Sequence, residues 1–348
     1  MIILSNCLTD VADEGCRKVV CSLVRRIKKA EPRTLVVSCG SHSNLEDCWI
    51  SVNRLLLSRE LAQLLQQRQE PLLYLPAPAK MRSTAIRLFV LSRFARWGLQ
   101  VVLPMEFPVD PLSGWLIQVS KARIIALSRN AWQHYHQALG DRVTYLRTGV
   151  DTERFLPVDA VRKRELRKKY GLPEDKPVVL HVGHLNEGRN IGVLTGISDA
   201  FQVILAVSTQ TADQRDLQLR SRLEKRENIR ILDTFLPNIH ELYQLSDVYL
   251  FPVEQAGHCI DVPLSALEAA ACGIPVAATP YGELKELLEE EGFYAIESFE
   301  PEQLNSLIRR LCEEGKSPRG SVMKYNWNLA VEYLLPGKHS AEQEAVQK

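Results

Sequence analysis

Short apolar, β-branched runs recur along the chain and alternate with longer mixed segments. The runs fall at residues 34–37, 72–75, 101–103, 124–127, 178–182, 203–207, 229–232, 248–251 and 274–278. Continuous apolarity over a few residues, rather than in-and-out alternation, suits strands buried on both faces. Between them, residues 13–31, 52–69, 213–226 and 301–314 place helix formers at helical spacing. The rhythm predicts βα alternation carried through twice, as two Rossmann-like doubly wound α/β domains. Domains of that kind leave a central cleft at the carboxyl ends of their strands, where ligands bind in open sheets.

The pattern breaks around residues 148–169. Thr148, Gly149, Val150 and Asp151 read as a turn, residues 155–157 as an extended piece, and residues 162–169 as a charged, exposed helix. The boundary is placed there, giving an amino-terminal domain over 1–150 and a carboxyl-terminal domain over 151–335 that ends in a helix able to cross back. A polar tail over 336–348 is expected to fray.

Composition sharpens this picture through charge. The 348 residues carry a net charge of +1. Residues 1–150 hold 20 Lys and Arg against 11 Asp and Glu, and residues 151–348 hold 23 against 31. A neutral total with an acidic second half argues against a general nucleic-acid binder, and the basic half suits an anionic surface. The 8 cysteines include no Cys-x-x-Cys, so reduced thiols in a cytoplasmic protein are expected. The opening residues show no basic leader followed by a long apolar core, and the longest uncharged stretch, 269–282, is broken by Gly and Pro. Any membrane contact is expected to be peripheral.

Several chemistries lose their usual signs. No Gly-x-Gly-x-x-Gly follows a predicted strand, no Gly-x4-Gly-Lys-Ser/Thr occurs, and there is no Asp-x-Asp to seat a divalent ion. His134 and His136 lie on a tyrosine-flanked segment and read as structural. Nothing in the sequence implies a metal site or a cofactor. The most informative stretch runs from Asp261 through Ser265, Glu268, Cys272 and Gly273 to Thr279 and Gly282. Asp261 is expected to N-cap a helix starting near Val262 or Pro263, Gly273 to end it, and a buried strand to follow. A helix amino terminus aimed at the cleft is an anion site.

Here the sequence resembles the retaining glycosyltransferases of family 4, whose fold is the two-domain GT-B arrangement. Three further segments carry the likeness in the family's order: Thr148 to Pro157; His181-Val182-Gly183-His184 on to Arg189; and Leu242-Tyr243 through Ser246-Asp247 to Pro252. With Tyr325 and Trp327 they span residues 128–335, while the first 120 residues match only in βα rhythm.

The resemblance implies transfer of a sugar, with retention, from a nucleoside-diphosphate sugar to a hydroxyl of a glycan or lipid-linked acceptor, without a metal. That donor is a substrate, so no cofactor is implied. In the family, two basic residues after a Gly hold the donor diphosphate; these places are His184 and Arg189 here, after Gly183. Arg189 brings a permanent fork-shaped charge, and His184 one that depends on its surroundings. Glu268 matches the second of two glutamates eight positions apart, the one that binds the ribose. The first is replaced by Ile260, for which Asp261 or Glu254 stands in. Asp261 has a plainer reading as a helix cap. Ser265 and Gly282 complete the implied donor contacts, and His258 lies either over the sugar or at the surface.

The basic half centres on residues 80–97. Helical spacing would gather Arg82, Arg93 and Arg96 with Phe89 and Trp97, opposite Leu88, Leu91 and Ala95. This reads either as a face for the anionic inner leaflet of a membrane or as a core helix with a solvated arginine strip. Because Ile260 and His184 depart from the family, a catalytically silent GT-B binding or scaffold protein stands beside the transferase as an alternative, and a nucleotide-sugar epimerase of similar architecture is a third reading.

Overall fold

The computed structural model describes residues 1–209, 216–255 and 257–335. They divide into two compact units. The first holds Met1–Thr148, Ile260–Val262 and the chain from Trp327; the second holds Gly149–Cys259 and Pro263–Asn326.

The first unit runs β1 (Ile2–Ser5), α1 (Gly15–Ala30), β2 (Leu35–Ser38), β3 (Cys48–Trp49), α2 (Arg59–Arg68), β4 (Leu72–Leu75), α3 (Met81–Ser92), β5 (Leu99–Leu103), α4 (Pro111–Ser120), β6 (Arg123–Ala126), α5 (Arg129–Leu139) and β7 (Val143–Tyr145). Its seven-stranded parallel sheet has the order β3-β2-β1-β4-β5-β6-β7. The apolar runs read from the pattern do not include β1, a strand of four residues, yet it is the strand at which the order reverses. All four of its residues are buried.

The second unit runs α6 (Ala160–Lys169), β8 (Val178–Gly183), β9 (Gln202–Val207), α7 (Leu217–Glu224), β10 (Ile229–Leu232), α8 (His240–Leu245), β11 (Val248–Phe251), α9 (Leu264–Ala271), β12 (Val276–Ala278), α10 (Leu284–Leu287), β13 (Phe293–Ala295), α11 (Pro301–Glu314) and α12 (Arg319–Val322). Its six-stranded parallel sheet has the order β10-β9-β8-β11-β12-β13, the doubly wound order with its switch point between β8 and β11. Asp247, just before β11, accepts from Val178 N (2.7 Å) and pairs with Lys163 (2.7 Å) and Arg167, which fixes α6 to the start of β8. Arg319 donates to the carbonyls of Phe155 (3.0 Å), Thr152 (3.2 Å) and Ala271, tying the boundary segment to the end of α9.

Both sheets answer the predicted α/β class, and four boundaries differ from expectation. The last helix, α13 (Trp327–Leu334), crosses back to the first unit, where its apolar face packs on α1, so the second unit itself ends at Asn326 rather than at 335. Ile260–Val262 also belong to the first unit, with Ile260 filling the space over Gly15. The helix expected over 52–69 begins only at Arg59, since Asn53 Oδ1 holds the amides of Leu55 and Leu57 in a turn. The helix expected through residue 97 stops at Ser92: Phe94 N and Ala95 N both fold back onto Leu91 O, and Gly98 at φ +127° turns into β5. Arg93, Arg96 and Trp97 therefore do not continue the face that starts at Arg82. The predicted tail, 336–348, lies outside the described residues, as do 213–215 of the helix expected over 213–226.

Candidate active site

β8 and β11 end side by side at the switch point of the second unit, and most of the expected site residues collect there. His181 is the single polar residue in the Val178–Val182 run and is fully buried. Its Nδ1 lies 2.8 Å from Leu250 O on β11. A carbonyl only accepts, so Nδ1 carries the proton and Nε2 presents a lone pair. Burial, ahead of any charge effect, lowers the His181 pKa to about 4; Arg189 and His184 add to the lowering. The ring is neutral at physiological pH and lies between Tyr249 (6.3 Å, stacked) and Phe251 (6.5 Å).

Gly183 closes β8. A side chain there would bring its Cβ within 2.9 Å of His181 Nε2 and 3.2 Å of Arg189 Nη1, so the missing side chain is what lets those two groups approach. Arg189 ends a one-turn 3-10 helix, Glu187–Arg189, followed by Asn190 in the left-handed region (φ 54°). Its side chain is only 6% exposed. Among the described residues it has no carboxylate partner, and its Nε has no hydrogen-bond acceptor. A buried guanidinium without a counter-charge costs several kcal/mol, which an anionic ligand would offset. His184, half-buried, follows Gly183.

The loop after β11 covers this turn. The His258 ring sits so close over Gly188 that a Cβ on Gly188 would lie 2.0 Å from its Nδ1. Glu254 accepts from Asn190 Nδ2 at 3.3 Å. Glu254, one of the two acids considered for the missing first glutamate, therefore lies beside the Arg189 turn. The loop is anchored through Tyr281, whose hydroxyl donates to Cys259 O (2.7 Å) and accepts from Cys259 N (3.2 Å). Gly282 follows at φ +52°, between the buried residues Tyr281 and Glu283.

α9 supplies the remaining groups. Its N-cap is Pro263, with no side-chain cap, so Asp261 does not cap it as expected. Asp261 lies in the first unit, near enough to Tyr135 to add to the raising of that phenol's pKa, which burial chiefly causes. The chain is extended at Pro263, and the helix starts two residues beyond the position an Asp261 cap would serve. Ser265 in the first turn bonds to Tyr249, which also lies within electrostatic reach of Arg189. Glu268 is only 6% exposed and accepts from Tyr243 Oη at 2.7 Å. Burial together with this carboxylate keeps the Tyr243 phenol protonated. Gly183, His184, Arg189, Ser265, Glu268 and Gly282 thus all lie in the second unit. His181 and Tyr243, named above only as parts of motifs, and Tyr249 join them without having been given a role; the available signal was a histidine inside an apolar strand.

Residues 176–314 match the model of the family described as glycosyl transferases group 1. The chain carries a glycosyltransferase group 1 domain. Every group placed above in the second unit, from His181 to Gly282, lies inside that domain. A D-inositol 3-phosphate glycosyltransferase of Xylanimonas cellulosilytica is 25% identical over 225 residues, covering 56% of this chain and 50% of its own. The chain spans about half the length of the curated relatives it matches. In fold, a glycosyltransferase from Rickettsia africae superposes with a TM-score of 0.75 at 14% identity, covering 100% of this chain and 98% of that one. HepE of Anabaena, solved with UDP and glucose, gives 0.69 at 17% identity, covering 95% and 97%. The group 1 domain of this chain thus sits in a two-sheet architecture shared with solved glycosyltransferases.

Proposed function

We propose that the protein transfers a sugar from a nucleoside-diphosphate sugar to a hydroxyl of a glycan or lipid-linked acceptor, with retention of configuration. The observation that carries this reading is Arg189: a buried guanidinium with no carboxylate partner among the described residues, beside Gly183 and below the His258 loop. A diphosphate supplies the missing charge, and the fork of the guanidinium fits its oxygens. His184 and the uncapped amides at the start of α9 add to the positive field. Glu268, held by Tyr243, faces the ribose hydroxyls as acceptor, and Ser265 and Gly282 border the same donor. Glu254 takes the place of the carboxylate that Ile260 lacks. As the donor bond breaks, charge builds on the departing diphosphate, and Arg189 stabilises it without reorganising. The incoming hydroxyl gives its proton to that leaving oxygen on the same face. The sequence lacks Asp-x-Asp, so side chains rather than a divalent ion carry this neutralisation in our reading.

The acceptor side is assigned to the first unit, at an anionic membrane surface, by its excess of Lys and Arg; the relative named for D-inositol 3-phosphate and the neighbour solved with UDP and glucose support the substrate classes. A second reading, a silent binding protein, is favoured by Ile260, which is buried over Gly15 and presents no acid. A panel of UDP, GDP, UDP-glucose and GDP-mannose tested by thermal shift, then by slow donor hydrolysis with and without EDTA, decides between them. Stabilisation by one nucleotide, lost in Arg189→Ala, together with hydrolysis is the expected result. Nucleotide binding indifferent to Arg189→Ala overturns the assignment, and binding without turnover selects the silent reading. Product formed without any acceptor would instead identify an epimerase.

A further inference from the structure

A ten-residue surface helix normally carries charge on its outer face. α4, with the sequence PLSGWLIQVS, has none. Ser113, Leu116, Ile117 and Ser120 face inward and are buried. Leu112, Trp115 and Val119, at spacing i, i+3 and i+7, are 49%, 56% and 45% exposed. Isolated exposed apolar residues are ordinary, but a continuous stripe of three with no charge beside it on its own helix marks a surface that something covers.

The surroundings say what. Residues 80–123 hold seven Lys and Arg against two acids, Glu106 and Asp110. Asp110 is committed: it caps α4 through Ser113 (Oγ 2.6 Å, N 3.2 Å) and pairs with Arg82 on the neighbouring α3 (3.3 Å). Past the end of α4, Lys121 and Arg123 join Trp97, itself 59% exposed, in lining a groove of about 280 Å³ backed by Leu72, Leu73 and Leu99. An uncharged exposed helix face with tryptophans and a rim of Lys and Arg matches the boundary of an anionic leaflet, where indole rings sit at headgroup depth and basic side chains meet lipid phosphates. A second copy would set this cationic rim against its own like charges.

We propose that α4 is a membrane-docking helix: Leu112, Trp115 and Val119 enter the interface, and Lys121, Arg123 and Trp97 receive an anionic headgroup. The proposal refines the acceptor side of the functional reading and is tested without any donor. The full chain is mixed with vesicles of phosphatidylcholine alone, or of phosphatidylcholine with phosphatidylglycerol, and followed by sedimentation and by tryptophan emission. Wild type should partition to anionic vesicles with a blue shift. Trp115→Ser should weaken partitioning by at least about tenfold. Lys121→Glu with Arg123→Glu should weaken it by more than about tenfold and only on anionic vesicles. Melting temperatures should stay at wild type, since these side chains are exposed. Arg189→Ala should bind vesicles normally, so a failure of the donor site and a failure of docking give different results. No partitioning of wild type, partitioning indifferent to Trp115→Ser, or a dimer in light scattering that Trp115→Ser dissolves would each overturn the proposal.

Discussion

Gly183→Ala puts one methyl group at the most crowded point of the candidate site. Its Cβ would lie 2.9 Å from His181 Nε2 and 3.2 Å from Arg189 Nη1, and one of them must move. His181 is fully buried, bonded to Leu250 O at 2.8 Å and flanked by two aromatic rings, so its displacement breaks packing on three sides. Arg189 is longer and its Nε is unbonded among the described residues, so the guanidinium yields first. Overpacking of this kind costs about 1–3 kcal/mol. In a domain of this size that lowers the melting temperature by roughly 2–10 °C. Moving the guanidinium off the diphosphate forfeits a charge-assisted hydrogen bond, about 1.5–3 kcal/mol, or roughly 10- to 150-fold in nucleotide affinity. Calorimetric titration of UDP and GDP into wild type, Gly183→Ala, Arg189→Ala and the double variant measures both numbers. Because the alanine acts through the arginine, the double variant should bind no more weakly than Arg189→Ala alone. Gly183→Ala binding either nucleotide as wild type does, or losses that add in the double variant, would refute the reasoning.

Other perturbations test separate parts of the structure. The folded pKa of His181, about 4, lies below its unfolded value of 6.5, so the unfolded chain takes up a proton first as pH falls. Stability should therefore decline from pH 6.5 to 4 by about 3 kcal/mol from this residue, and denaturant midpoints of His181→Phe should decline less over the same range than those of wild type. Glu268→Gln keeps an acceptor for Tyr243 Oη and should fold, yet lower nucleotide affinity about tenfold; Glu268→Ala should also lose stability, about 1–3 kcal/mol, by orphaning a buried hydroxyl. Arg319→Ala removes the donor shared by the carbonyls of Phe155, Thr152 and Ala271 and should cost about 2 kcal/mol in urea unfolding, with the vesicle binding assigned to the other unit unchanged.

Much of this protein is legible from local chemistry. Nine apolar runs locate nine strands, because a strand covered on both faces must be apolar throughout. The shorter strands, β3, β7 and β13, escape this reading: two or three residues set no period, and only pairing with a neighbour makes them strands. β1, four residues long, is likewise not among the runs. Gly183, Arg189 and Glu268 stand out through motif order. Asp261 is misread because an Asp before an apolar helix looks like a cap, while Pro263 takes that position.

By itself the sequence determined the α/β class, the break near residue 149 and the group 1 segment, since each is encoded in periodicity or in short contiguous motifs. Only the tertiary structure decided that α13 and Ile260–Val262 belong to the first unit, that His181 and Arg189 meet across Gly183, and that the bare apolar face lies on α4 rather than along residues 82–97. Each depends on which surfaces are covered by distant parts of the chain. Burial is a property of the packed molecule, and the same apolar residue reads alike in sequence whether the fold hides it or leaves it to the solvent.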